Sequence, residues 1–199
     1  MDILIVDTCH AYCDGLASWL QPAGFEVTSY CNTEDFSLTM RSDQFKLVIF
    51  GPSLPSHTVF ASCRELLGQR NGNGVKIIFA SLHADDLVFQ CDAAFIGVSA
   101  CFAVNTSQQI FVDAVKGILQ GSSYIPQDIL AQAFLPINLT QAELDVLRLM
   151  ADGKTDLEIA KALGKAHNTV RTQTKFVLEK LQVNTRAKAI YRARHRGLI

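Results

Sequence analysis

The sequence has no hydrophobic run long enough to cross a membrane. Its first residues, MDILIVDT, have an acid at position 2 and only four consecutive apolar residues. A membrane helix needs about 18, and a secretory signal begins with basic residues. We therefore expect a cytoplasmic protein that makes no membrane contact. With five prolines and 12 glycines among 199 residues, 49% of them hydrophobic, the chain is also neither disordered nor collagen-like.

Patterns typical of a metal site, a cofactor site or an enzyme are missing as well. The six cysteines contain no C-x-x-C pair and no zinc-like arrangement with histidine. The glycine-containing turn at residues 71–74 lacks the Lys-Ser/Thr of a phosphate-binding P-loop. No nucleophile with a neighbouring base is recognisable. We expect no metal, no cofactor and no enzymatic activity.

Charge is distributed unevenly between the two parts of the chain. Residues 1–137 contain six basic and 13 acidic groups, a net charge of −7, whereas residues 138–199 contain 12 basic and six acidic groups, a net charge of +6. The basic excess is densest within residues 154–196, which hold 11 Lys and Arg. This separation predicts a polyanionic partner for the C-terminal part, and nucleic acid is the natural candidate.

Residues 1–120 predict an α/β domain, because short apolar segments alternate with amphipathic ones. Strands are expected at residues 2–7, 25–30, 46–50, 76–79 and 100–104, and helices at residues 12–20, 33–41, 58–67, 85–95 and 107–120. Continuous apolar strands that alternate with amphipathic helices indicate a parallel sheet covered on both faces. We therefore expect a doubly wound, flavodoxin-like (βα)5 domain.

The remaining chain predicts a linker at residues 121–137 and an all-α domain at residues 138–199. The linker contains glycine, serines and two prolines around one or two apolar helical turns. In the domain, Thr140 to Glu143 and Thr155 to Glu158 are capping boxes, in which side chains satisfy the free backbone donors at a helix start. Four helices are expected, ending near residues 152, 163, 181 and 196.

The second and third of these helices have the spacing of a helix-turn-helix unit, with a short turn at residues 164–166. Arg171, Thr172 and Lys175 share the outward face of the third helix. Arg can bind guanine through two hydrogen bonds, the Thr methyl can touch a thymine methyl, and Lys can reach a purine acceptor. We predict that these three residues contact bases. The donors expected to hold DNA phosphates are Lys154, Lys165, Asn168, Thr169, Lys180 and Arg186.

Residues 139–199 resemble the C-terminal DNA-binding domain of LuxR-type regulators along their full length. The resemblance is carried by Leu139, Thr140, Glu143, Val146, Leu147, Gly153, Glu158, Ile159, Ala160, Leu163, Thr169, Val170, Leu181, Val183 and Arg186. It implies that the helix over residues 167–181 enters the major groove of double-stranded DNA. The family usually has Ser where this chain has Ala166, so we expect His167 or Asn168 to cap that helix.

Residues 1–120 resemble the receiver domain of NarL/FixJ-type response regulators. The resemblance implies phosphoryl chemistry that uses two acids after the first strand for Mg²⁺, an Asp after the third strand, a Ser or Thr after the fourth and a Lys after the fifth. This chain has Asp7 and Thr8, Gly51, Ser81 and Val104 at those places. Glycine cannot accept phosphate, and Mg²⁺ prefers several oxygen ligands. We therefore expect a pseudo-receiver that is not phosphorylated.

The input that replaces phosphorylation is open among three alternatives. The domain is a constitutive dimerisation module, it binds a small ligand at the carboxyl ends of its strands, or it uses thiol chemistry at Cys9 and Cys13. These two cysteines lie one helical turn apart after the first strand. All six cysteines can equally be inert core residues, since no Lys or Arg adjoins Cys9 or Cys13 to lower a thiol pKa.

Together these features favour a sequence-specific transcription regulator, an orphan and atypical response regulator that binds DNA as a homodimer. Dimers of such modules bind two half-sites about one helical turn apart, so we expect an inverted-repeat operator. The alternative is a protein-interaction adaptor whose receiver-like domain binds a signalling partner. In that case the basic module contacts RNA polymerase or binds DNA without sequence preference.

Overall fold

The computed structural model describes residues 2–31, 45–68 and 74–199. The chain divides into two compact units, Met1–Phe134 and Leu135–Ile199. The helix expected at residues 33–41 and most of the turn at residues 71–74 lie outside the described residues.

The N-terminal unit contains a parallel sheet whose five described strands occur in the expected positions. They are β1 (Asp2–Val6), β2 (Glu26–Tyr30), β3 (Leu47–Phe50), β4 (Lys76–Ser81) and β5 (Ala100–Ala103). Their order in the sheet is β2-β1-β3-β4-β5, and every pairing is parallel. This is the doubly wound, flavodoxin-like order, so the predicted fold class of this domain is confirmed.

Helices connect and cover the strands of this sheet. Those described in the N-terminal unit are α1 (His10–Leu20), α2 (Ser56–Gly68), α3 (Leu87–Ile96), α4 (Gln108–Leu119) and α5 (Gln127–Ala133). The Asp86 carboxylate begins α3 by accepting hydrogen bonds from the backbone N–H groups of Val88 and Phe89. An acid at a helix start also interacts favourably with the helix dipole.

The central strands are apolar along their whole length because helices cover both faces of the sheet. All four residues of β3 are buried, whereas β2 at the sheet edge is largely exposed. The core on the side of α1 and α4 includes Ile3, Ile5, Leu16, Leu20, Leu47, Ile49, Phe111 and Ile118. This packing fixes the strand ends where the receiver-like positions lie.

The segment that the sequence suggests as a linker contributes a helix to the N-terminal unit. Ile125, Ile129 and Ala133 pack against Cys91 and Ala94 of α3. The boundary between the two units falls after residue 134, so most of the segment at 121–137 belongs to the first unit.

The C-terminal unit consists of four helices, and its residues, all of which the structure describes, include no strand. The helices are α6 (Gln141–Ala151), α7 (Asp156–Leu163), α8 (His167–Lys180) and α9 (Arg186–His195). They surround a core formed by Val146, Leu147, Met150, Ile159, Val170, Val177, Leu181, Ala189 and Ala193. Both predicted capping boxes form, at the starts of α6 and α7. The predicted four-helix domain is confirmed.

Candidate nucleic-acid interface and receiver-like pocket

The turn between α7 and α8 begins at Gly164, whose backbone is left-handed with φ of 61°. Such a residue ends a helix at low cost when it is glycine. The backbone N–H of Lys165 donates to Ala160 O at 2.9 Å and closes the turn. Ala166 then occupies the N-cap of α8 without a side-chain hydrogen bond. His167 and Asn168 are the first two residues of α8, so neither occupies the capping position that we expected one of them to take.

Helix α8 has one buried face and one exposed face. Val170 and Val177 are fully buried against the other helices of the unit. Arg171, Thr172 and Lys175 lie on the exposed side. The structure thus brings the three predicted base-contacting residues together on one accessible helix surface, which we call the α8 face.

Two of the side chains on the α8 face also make local contacts. The Thr172 hydroxyl donates to Asn168 O at 3.0 Å, a bond that leaves the hydroxyl on the helix surface. Lys175 Nζ lies 3.6 Å from Glu179 Oε1, and the Lys175 side chain is 74% exposed. A surface ion pair of this kind contributes little, so it does not prevent Lys175 from binding another partner.

Four of the predicted phosphate contacts lie just before α7, just before α8 or in the first turn of α8. Lys154, Asn168 and Thr169 are exposed, and Lys165 is half-buried. Lys165 Nζ donates to Gln173 Oε1 at 3.2 Å. These residues supply donors at the starts of α7 and α8.

Lys180, the fifth predicted phosphate contact, binds inside the unit. Its Nζ lies 2.7 Å from Oε2 of Glu143, whose side chain is only 7% exposed. Burial opposes ionisation of Glu143, but hydrogen bonds from Lys180 and Thr140 outweigh it and hold the pKa of Glu143 below its ordinary value. Lys180 therefore connects the end of α8 to the start of α6.

Arg186, the sixth, is also engaged within the unit. Its Nη1 lies 3.0 Å from Asp156 Oδ1, and its Nη2 donates to the carbonyl oxygen of Lys154. Thr174 donates to the same carboxylate oxygen at 3.3 Å. Sequence reasoning missed both internal pairs because the partners lie 37 and 30 residues away along the chain.

In the N-terminal unit, Asp7 and Gly51 meet at the carboxyl ends of β1 and β3. Val6 pairs with Phe50 in the sheet, and the N–H of Gly51 donates to Val6 O at 2.8 Å. Asp7 is buried, with both carboxylate oxygens used: Oδ1 accepts from the N–H of Cys9 at 2.6 Å, and Oδ2 from that of Ser53 at 2.9 Å. An ideal Cβ on Gly51 would lie 2.7 Å from Asp7 Cγ.

Ser81 and Val104 lie at the same edge of the sheet. Ser81 pairs with Ala103, so Val104 follows one residue beyond the end of β5. The Ser81 hydroxyl accepts a hydrogen bond from the N–H of His83 at 3.0 Å, and Val104 is 39% exposed. Thr8 is exposed at the end of β1.

These residues do not fit the magnesium ion that a receiver pocket would hold. The predicted positions supply a single carboxylate, that of Asp7, and two backbone N–H groups already bind it. Within residues 2–31, 45–68 and 74–199, no group of three or more His, Cys, Asp or Glu is arranged to hold a metal ion.

A cleft of about 230 Å³ lies at the ends of β3 and β4, and its lining includes Gly51 and Ser81. Its walls include Pro52, Leu54, Val59, Phe79, His83 and Phe89. The rings of Phe79 and Phe89 lie 5.8 Å apart.

Cys9 and Cys13, the cysteines at which the sequence allows thiol chemistry, differ in their surroundings. Cys9 is exposed, whereas Cys13 is buried and its Sγ lies 3.4 Å from Sγ of Cys31. Burial is the main cause that raises the pKa of Cys13 to about 12, and the hydrogen bond with Cys31 acts in the same direction. Cys31 carries no sequence signal because it comes 18 residues after Cys13, at the end of a different element.

Comparison with known proteins agrees with this architecture. Residues 137–193 match the family described as bacterial regulatory proteins, luxR family. The chain is 29% identical over 159 residues to the transcriptional regulatory protein DesR of Bacillus subtilis (strain 168), covering 79% of this chain and 77% of DesR. It is 27% identical over 195 residues to the probable transcriptional regulatory protein SgaR of Hyphomicrobium methylovorum, covering 96% and 90%.

Solved structures share the fold. RcsB from Salmonella enterica serovar Typhimurium, bound to promoter P1flhDC in the presence of the phosphomimetic BeF3−, has a TM-score of 0.72 at 17% identity, with 98% of each chain covered. The two-component response regulator RcsB in a DNA complex has a TM-score of 0.70 at 16% identity, with the same coverage.

The fold is that of a response regulator, with a receiver-like sheet followed by a helix-turn-helix unit. The match to the luxR family of bacterial regulatory proteins lies in the C-terminal unit. The chain is thus a DNA-binding transcriptional regulator of the LuxR, response-regulator type. Among the described residues, no helix combines the length and the apolar character that a membrane span requires.

Proposed function

We propose that the protein recognises specific DNA sequences through the α8 face, acts as a dimer, and regulates transcription without phosphorylation of its receiver-like domain. The observation that carries this proposal is the common exposure of Arg171, Thr172 and Lys175 on a helix whose opposite side is buried in the core. An α-helix fits the major groove, where each base pair presents a distinct pattern of donors and acceptors.

The surrounding charge supports binding to DNA phosphates. Residues 138–199 carry a net charge of +6, and neutralising phosphates releases counterions, which favours binding at low salt. We assign phosphate contacts to Lys154, Lys165, Asn168 and Thr169. Lys180 and Arg186 are held in ion pairs with Glu143 and Asp156, so they would contact phosphates only while they remain in those pairs.

Independence from phosphorylation is supported by the contact between Asp7 and Gly51. Position 51 has no side chain to accept phosphate, and the space beside it is filled by the Asp7 carboxylate. The test is to incubate the protein with acetyl phosphate and magnesium and to determine its intact mass. We expect no phosphate adduct and no change in DNA affinity, whereas a stoichiometric adduct would contradict this part of the proposal.

The proposed dimer and its operator follow from the geometry of helix-turn-helix domains. Two such domains related by a two-fold axis bind half-sites about one helical turn apart, which makes an inverted repeat the expected operator. One solved RcsB structure, which covers 98% of this chain, contains two dimers bound to two parallel DNAs. The dimers on DNA in that structure support a DNA-bound dimer here. RNA polymerase is a further proposed partner.

The experiment that tests sequence recognition is selection of genomic fragments at rising salt. Nonspecific contacts weaken steeply with salt, while a specific complex retains affinity through base contacts. We expect a few fragments to stay bound after the rest are released, and we expect them to share an inverted repeat. Simultaneous release of all fragments would instead favour the adaptor function, with DNA contact that has no sequence preference.

A further inference from the structure

Two thiols from different elements meet beside the receiver-like pocket. Cys13 lies on α1, Cys31 directly follows β2, and their Sγ atoms are 3.4 Å apart. A disulfide bond measures about 2.0 Å, so closure requires an approach of about 1.4 Å. We propose that Cys13 and Cys31 are a redox pair that forms a disulfide between α1 and the end of β2 when the protein meets a hydroperoxide.

The backbone holds both cysteines in place. The N–H of Cys13 donates to Cys9 O at 3.2 Å in the first turn of α1. The N–H of Asp7 donates to Tyr30 O at 3.2 Å, which fixes the residue before Cys31 against the end of β1. The Cys13 thiol also points to Asp7 O at 3.9 Å. The proximity of the two thiols is therefore set by the sheet and by α1.

Exposure determines which thiol reacts first. Cys13 is fully buried, whereas Cys31 is half-buried, so an oxidant reaches the pair through Cys31. Burial and the neighbouring groups Cys31, Asp7 and Asp14 raise the pKa of Cys13 to about 12 and keep it protonated at neutral pH. Cys13 is therefore the thiol that completes the bond, and its position next to Cys31 compensates for its low acidity.

The reaction uses one equivalent of hydroperoxide. The Cys31 sulfur attacks the peroxide, the O–O bond breaks, and the products are a sulfenic acid on Cys31 and one molecule of water or alcohol. The Cys13 sulfur then attacks the Cys31 sulfur. The S–S bond forms as the S–O bond breaks, and the Cys13 proton leaves with the hydroxyl group as water. A thiol reductant reverses the reaction.

Three other cysteines, Cys9, Cys63 and Cys101, are less suited to this reaction. Cys63 is fully buried and Cys101 is half-buried, and burial raises the pKa of both thiols, to about 12 for Cys101. Cys9 is exposed at the N-cap of α1, but the sulfur contact of Cys13 is with Cys31. Cys9→Ser is therefore a matched control, since it removes a nearby thiol without touching the pair.

The test uses the full-length protein, treated with hydrogen peroxide, alkylated and mapped by mass spectrometry. We expect an intramolecular Cys13–Cys31 bridge in the wild type and in Cys9→Ser, reversible by dithiothreitol. Cys31→Ser should abolish the bridge while its circular dichroism stays that of the wild type. The proposal is overturned if Cys31 ends as an unbridged sulfinic acid or if the bridge joins another cysteine.

A thermal melt determines whether the bridge fits the native fold. A bridge between residues 18 apart restricts the unfolded chain, so we expect the oxidised protein to melt roughly 5 °C higher or more. A lower Tm in the bridged form would contradict the proposal, because the bond would then form only in a distorted chain. Neither readout involves DNA, so this inference can fail independently of the proposed function.

Discussion

The Asp7 carboxylate fills the space that a side chain at position 51 would need. An ideal Cβ on Gly51 would lie 2.7 Å from both Cβ and Cγ of Asp7, and closer still to Oδ2. The same carboxylate accepts backbone hydrogen bonds from Cys9 and Ser53. The Asp7 carboxylate, directly after β1, therefore holds the loops after β1 and β3 together, at the place where a receiver would have its phosphate-accepting Asp.

We predict that Gly51→Ala destabilises the N-terminal unit. The added methyl group must displace a buried, hydrogen-bonded carboxylate, and overpacking of this kind costs about 1–3 kcal/mol. Denaturant unfolding followed by circular dichroism measures the change. Gly15→Ala is the control: a Cβ on Gly15 meets nothing within 4 Å, and alanine in a helix is favoured by about 1 kcal/mol, so this variant should be neutral or more stable.

The cause of the lower stability expected for Gly51→Ala is tested by combining it with Asp7→Gly. The second change removes the side-chain atoms that the new methyl group would contact. The two changes should couple, so that the double variant is more stable than the sum of the single effects predicts. Strict additivity would show that the loss at Gly51 has another cause.

We predict that Lys180→Met destabilises the C-terminal unit by about 1–3 kcal/mol, because it leaves the buried Glu143 carboxylate without its charged partner. The matched control is Lys175→Met on the same helix. Lys175 also pairs with a glutamate, but at 3.6 Å and on the surface, so its loss should cost less than about 1 kcal/mol. Equal effects in urea unfolding would contradict the structural role of Lys180.

The stability of the C-terminal unit should fall in acid through Glu143. Its pKa in the folded unit lies below the ordinary 4.5, mainly because hydrogen bonds from Lys180 and Thr140 outweigh the effect of burial. A lowered pKa contributes stability that is complete above the unfolded-state value and is lost as the pH falls through the folded-state value. The advantage of the wild type over Glu143→Gln in urea unfolding should therefore shrink below about pH 4.5; an advantage independent of pH would contradict this explanation.

The sequence predicts those parts of the fold that depend on local patterns. Apolar strands such as β3 indicate a buried parallel sheet because helices on both faces leave no polar side. Thr140 and Thr155 mark helix starts because each capping box closes over three residues. Each of these signals involves residues only a few positions apart, so it can be recognised in the sequence without the tertiary structure.

The sequence could not predict contacts between distant elements. Lys180 and Arg186 are basic residues of the kind that bind phosphates. Only the packing of α8 and α9 shows that each forms an ion pair with a carboxylate of the same unit. Likewise, only the pairing of β2 with β1 shows that Cys31 lies next to Cys13. The sequence shows glycine at position 51, where a receiver has its phosphate-accepting Asp. It does not show that Asp7 fills the space beside this glycine.

The central claim is that the α8 face distinguishes base sequences. The most direct test compares Arg171→Ala with Arg148→Ala, a surface arginine on α6 whose side chain is 56% exposed, so that each variant loses one positive charge from the same unit. Affinities for the selected operator and for random DNA are measured by gel shift at one salt concentration.

We expect Arg171→Ala to weaken operator binding about 5- to 150-fold, the equivalent of about 1–3 kcal/mol, and to change binding to random DNA far less. Arg148→Ala should alter both affinities slightly and equally. An equal loss on operator and random DNA for Arg171→Ala would contradict base recognition by the α8 face.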